Sequence, residues 1–114
     1  MLECLILGDS IAVGTANVRT ECVSYSVGGI NTMQWNKKFS DKQLMAKSVI
    51  ISLGTNDYTT IHTFKELSNM RARVKAEHVF WIMPPCNKDF CKQNVNNIVS
   101  IIANAYNDLS LIHI

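Results

Sequence analysis

Leu5-Ile6-Leu7-Gly8-Asp9-Ser10 is the stretch on which the reading of this chain turns. An unbroken apolar run stops on a glycine, and an acid and a serine precede a helix-compatible segment from Ile11. The serine then stands at the carboxyl end of a strand, beside the unpaired backbone N–H groups of a helix start. Open α/β sheets hold their ligands there. A plainer reading is a βα turn in which Asp9 or Ser10 serves as helix N-cap. The tripeptide alone favours the plainer reading, because short motifs recur by chance. The rest of the chain decides between the two.

Working outward, further apolar runs follow Leu2–Leu7 at Cys22–Val27, Ser48–Leu53, Val79–Met83 and Leu109–Ile114. The first, third and fourth are nearly continuous, as in parallel strands covered on both faces. Between them, Phe64, Leu67, Met70 and Val74 recur at helical spacing behind a Thr63/Glu66 capping box. Val95, Ile98, Val99, Ile102 and Tyr106 mark a second helical stripe, from about Lys92 to Asn107. Shorter helices are predicted over Ala12–Arg19 and Thr32–Phe39. With 114 residues and 47% apolar content, the chain has enough for one core and too little for two. The alternation predicts one α/β domain over residues 1–114. Its form would be a three-layer flavodoxin-like sandwich, with a five-stranded parallel sheet in order 2-1-3-4-5 and helices on both faces.

Composition narrows the function classes. The formal charge is +2, and the only basic doublet is Lys37-Lys38, which argues against nucleic acid as a partner. No apolar run approaches the roughly 18 residues of a membrane span. The chain enters a strand almost at once, with no signal peptide, which favours a cytoplasmic location unless a signal has been removed. Cys4 and Cys22 fall in predicted strands and read as small buried hydrophobes. Cys86 and Cys91 share a polar loop in which a local disulfide stays an open alternative. A metal site is disfavoured because no second ligand pair stands nearby.

Two more strands end as the first does. Gly28-Gly29-Ile30-Asn31-Thr32 follows the second and Gly54-Thr55-Asn56-Asp57 follows the third. In the expected order these three strands are immediate neighbours about 4.8 Å apart, so their loops converge on one spot. Gly8-Asp9-Ser10, Gly29 and Gly54-Thr55-Asn56-Asp57 resemble, in order and spacing, the first three blocks of the GDSL or SGNH hydrolases. The likeness extends from Met1 to about Ile114.

The resemblance implies that Ser10 is the nucleophile attacking an ester carbonyl, with no metal or cofactor. It implies an oxyanion hole formed by the Ser10 N–H, the Gly29 N–H and the Asn56 side-chain amide. Glycine leaves the incoming carbonyl unobstructed, and asparagine donates without carrying charge. Taken singly, Asn56 reads as a turn residue and Gly29 as a position needing positive φ. Asp9 and Asp57 are expected to shape their loops by accepting backbone N–H bonds.

The family's last block, Asp-x-x-His, is not found in these 114 residues. His113 follows Asp108 by five residues, but inside the fifth strand it lies about 14 Å from the first. A hydrogen bond needs about 2.6–3.2 Å. His62 follows the third block closely, and His78 opens the fourth strand at its amino end. The stop on the apolar run Leu109–Ile114 favours a C-terminally truncated product, and such a strand invites self-association. Natural loss of the base is the alternative.

Two functions therefore compete: a serine esterase acting on a sugar, lipid or small-alcohol ester, and a catalytically impaired binding or interaction module with the same cleft. A flavin or nucleotide binder would share the architecture. The first loop lacks its glycine spacing and the lysine of a P-loop. Met33, Trp35 and Tyr58 lie just past the second and third blocks, where pocket wall and core are both open readings.

Overall fold

The apolar run 5–7 is completely buried because it forms the middle of the sheet. The computed structural model describes residues 2–58, 61–85 and 92–111. In chain order the elements are β1 (Leu2–Gly8), α1 (Ser10–Val18), β2 (Val23–Ser26), α2 (Thr32–Lys38) and β3 (Ala46–Ser52). They continue with α3 (Thr63–Arg73), β4 (His78–Ile82), α4 (Gln93–Ala105) and β5 (Leu109–Leu111). All neighbouring strands pair in parallel, in the order β2-β1-β3-β4-β5. This is the α/β architecture expected from the alternation of apolar runs and amphipathic stretches.

Alternation along β1 divides the core in two. Leu5 and Leu7 face α2, α3 and α4, where Trp35, Leu67, Met70, Val95, Val99 and Ile102 complete the larger cluster. Cys4 and Ile6 face α1 and pack on Ala12 in a smaller cluster. Trp35 is wholly buried and donates from Nε1 to the Tyr25 carbonyl at 2.9 Å, so it is core and no pocket wall.

Three local expectations need correction. Cys4 and Cys22 are joined in a disulfide rather than packed as free thiols. The parallel pairing of Leu5 with Val23 sets the preceding residues side by side, with Cα atoms 4.6 Å apart, within reach of a bridge. Cys86 and Cys91 lie outside the described residues.

The second correction concerns α3, whose N-cap is His62 with no side-chain cap bond. Thr63 Oγ1 instead donates to Asp57 Oδ2 at 2.8 Å, and Glu66 accepts from Asn36 Nδ2 at 2.9 Å. Tertiary partners have taken both side chains of the expected capping box. The capping box that does form is at α2, where Asn31 and Gln34 bond reciprocally. Third, Phe64 was expected on the buried stripe with Leu67, Met70 and Val74, yet it is 50% exposed.

Candidate active site

The register brings three strand ends to one level. Gly8 is paired with Ser26 on one side and with Ser52 on the other. Just beyond, Val27 N donates to Gly8 O at 3.0 Å and Asp9 N donates to Ser52 O at 2.9 Å. A glycine is required at this junction. A Cβ on residue 8 would lie 1.9 Å from the Ser52 carbonyl oxygen, and φ is +150°. The loops after β1, β2 and β3 therefore leave the sheet together, at the switch point where the strand order reverses.

Asp9, not Ser10, caps α1. Its carboxylate accepts from the Ile11 N–H at 3.1 Å, and its side chain is fully buried. Its second oxygen, Oδ2, has no full hydrogen bond, the Ser52 side chain offering only a weak pull. Burial pushes the Asp9 carboxyl up to about 6, against the opposing effect of the Ile11 N–H. Ser10 is left as the first helical residue, exposed, with a backbone N–H that has no intrahelical acceptor.

Gly28 brings the second loop against the first: a Cβ built there would be 4.0 Å from Ser10 Cβ. Gly29 follows with φ +78° and no atom within 4 Å of its Cβ position, so the space beside it is open. Its N–H is in no backbone hydrogen bond among the described residues. The third loop is tied to the second by Asn56, whose Nδ2 donates to Ile30 O at 3.0 Å. An amide nitrogen carries two hydrogens, so one donor of Asn56 is left over. Ser10 thus adjoins Gly28-Gly29, and Asn56 is anchored on the residue after Gly29.

Asp57 works as a buried strut. Its Oδ1 accepts from Thr32 N at 2.8 Å and Thr32 Oγ1 at 3.0 Å, while Oδ2 takes Thr63 Oγ1. One carboxylate thereby fixes the starts of α2 and α3 relative to the third loop. Lys92, at the start of α4, adds a bond from Nζ to the Asp57 carbonyl oxygen. No sequence pattern announced the ties to Thr32 and Lys92, which stand 25 and 35 residues from Asp57.

The histidines separate clearly. His78 opens β4 opposite Ser48, at the amino edge, with its ring 6.5 Å from that of Phe80. His62 is exposed at the start of α3, on the carboxyl edge. His113 lies outside the described residues. Asp108, the acid nearest to it in sequence, is committed elsewhere. Both its oxygens accept from Arg71, at 2.7 and 2.8 Å, and Oδ2 also accepts from Trp81 Nε1 at 2.9 Å.

No protein-family model matches the sequence. Among curated proteins, too, none matches. Solved structures do match. A GDSL-like lipase from Bacteroides thetaiotaomicron superposes with a TM-score of 0.66 at 16% identity, over 97% of this chain and 68% of that one. A protein described as an acylhydrolase, from Bacteroides fragilis, gives a TM-score of 0.69 at 17% identity, over 97% and 67%. The chain shares the fold of these hydrolase structures and resembles the GDSL/SGNH family in its first three sequence blocks.

Proposed function

We propose that the chain carries an acyl-ester hydrolase site in which Ser10 is the nucleophile. The observation that carries this reading is the convergence of the three glycine-bearing loops at one level of the sheet. Ser10 Oγ adds to the ester carbonyl, and the carbonyl oxygen takes the developing charge. The N–H groups of Ser10 and Gly29 and the second hydrogen of Asn56 Nδ2 receive that oxygen. Collapse expels the alcohol and leaves an acyl-serine, which water then hydrolyses. The Ser10 proton must pass through a base to the leaving alcohol, and none is assigned among the described residues. The proposed substrate is an ester of a sugar, lipid or small alcohol. The Cys4–Cys22 bridge supports work in an oxidising compartment rather than the reducing one expected from the sequence.

A second reading is favoured by one observation: Asp108, the acid nearest His113 in sequence, has both carboxylate oxygens held by Arg71. Removing a triad member leaves about 10³–10⁴-fold catalysis from the oxyanion hole and binding. On this reading the cleft binds esters and turns them over slowly or not at all. Turnover of p-nitrophenyl acetate by the parent and by Ser10→Ala separates the two. Turnover or a burst that vanishes in the variant supports the hydrolase. Equal background in both proteins, with no fluorophosphonate label on Ser10, removes it.

A further inference from the structure

A groove of about 940 Å³ opens on the carboxyl edge between the starts of α3 and α4. It begins one residue past Asn56, at Asp57 and Tyr58, and Ser10 and Gly29 are not part of its lining. Its size is that of a pocket for a small organic molecule.

The walls carry two kinds of group. Tyr58 and Phe64 are 58% and 50% exposed, and Ile98 is half-buried beside them. Exposed aromatics clustered on one surface mark contact sites more often than isolated ones do. The other kind is basic: Lys65 and Lys92, with His62 at the rim. The acid among the described lining residues is Asp57, whose carboxylate is 3% exposed and bonded to Thr32 and Thr63. Neither lysine makes an ion pair among the described residues. Lys92 Nζ is steadied by one bond to the Asp57 carbonyl, and an ammonium has two further donors. Among the described residues the charge presented to the groove is therefore positive and without an ion-pair partner, next to an apolar wall.

We propose that the groove binds the part of the substrate remote from the reacting carbonyl, and that this part is an apolar chain bearing an acidic group. The exposure of Phe64 then has a reason that helix packing does not supply. The substrate assignment rests on the hydrolase reading of Ser10, whereas the binding it requires does not depend on catalysis. The ligand chemistry is that of an anionic amphiphile, with a carboxylate or a phosphate at its charged end.

Binding is measured on Ser10→Ala protein, in which turnover cannot intervene, by following backbone amide resonances. The probes are octanoate, octyl phosphate and, as uncharged control, 1-octanol. Saturable shifts at Tyr58, Phe64 and Lys92 with at least one anion are expected, and octanol roughly tenfold weaker. The stronger of the two anions identifies the charged end. Lys65→Gln and Lys92→Gln should each weaken the anion several-fold and leave octanol unchanged, while Phe64→Ser weakens both. Lys65 is exposed and makes no ion pair among the described residues, so its variant keeps the test valid if Lys92→Gln disturbs Asp57. Octanol binding as tightly as the anions, shifts confined to other regions, or no saturation would overturn the proposal. Ester turnover by the parent reports on Ser10 separately. Its loss with groove binding intact removes the hydrolase reading alone, and the converse removes the groove alone.

Discussion

At the amino edge of the sheet the buried Arg71–Asp108 pair is closed on its partners, whereas at the carboxyl edge several polar groups are left open. Arg71 and Asp108 meet side by side near the start of β5, with side chains 10% and 4% exposed. Trp81 adds a third bond to the carboxylate, and the Tyr106 ring lies 4.1 Å from the guanidinium carbon. A bidentate pair with its remaining positions filled is how a charge survives burial. At the other edge Ser10 is exposed, the space beside Gly29 is empty and Asp9 Oδ2 is buried without a full bond. Donors are held in place there by Asn31, Asp57 and Gly8 yet not consumed. The first edge is closed within the fold, and the second is the one at which we propose that an ester binds.

That division predicts opposite sensitivities. Asp108→Ala strands a buried guanidinium, so unfolding free energy should fall by about 3–5 kcal/mol in urea titrations. Fluorophosphonate labelling of Ser10 per folded molecule should not change. Asn56→Ala should do the reverse. Loss of one oxyanion donor lowers kcat by about 10²–10³, while the missing bond to Ile30 O costs only about 1 kcal/mol of stability. A large stability loss with an intact rate in Asn56→Ala would place Asn56 with the structural residues. The Cys4–Cys22 bridge closes the β1–α1–β2 unit that presents Ser10, across a separation of 18 residues. Cys22→Ser, or reduction of the parent, should cost about 3 kcal/mol, read from the same titrations.

The fold was legible because its signal is local. Continuous apolar runs ending on Gly8, Gly28 and Gly54 give strands and their stops, and the order of the strands follows from short parallel connections. The three loop blocks were legible for the same reason. What stayed hidden depends on residues distant in sequence. Asp57 as a strut, Arg71 as the partner of Asp108 and Cys4 as the partner of Cys22 each need the folded register to become neighbours. Thr63 and Glu66 show the same effect as an error. Their spacing fits a helix cap, and tertiary acceptors and donors outcompeted it. The groove beside α4 left one trace, an aromatic at position 64 on a stripe that should have been buried.

The smallest effect concerns Asp9, and it tests whether the open edge is costly to the fold. The Asp9 carboxyl is fully buried, and desolvation raises it from 3.8 to about 6. In the unfolded chain it ionises near the lower value, so between the two the folded state retains a proton that the unfolded state has released. This group therefore favours folding most below about pH 4, and the advantage is lost as pH rises through about 6. Above that range the buried charge costs on the order of 2–3 kcal/mol. Asp9→Asn keeps an acceptor for the Ile11 N–H and cannot ionise. Relative to the parent, its stability should be similar near pH 4 and greater by about that amount at pH 7–8. Urea titrations of both proteins across the range give the difference directly, with the other carboxylates cancelling. A difference that does not grow with pH would mean that Asp9 has found a partner after all, and the carboxyl edge would then be closed like its counterpart.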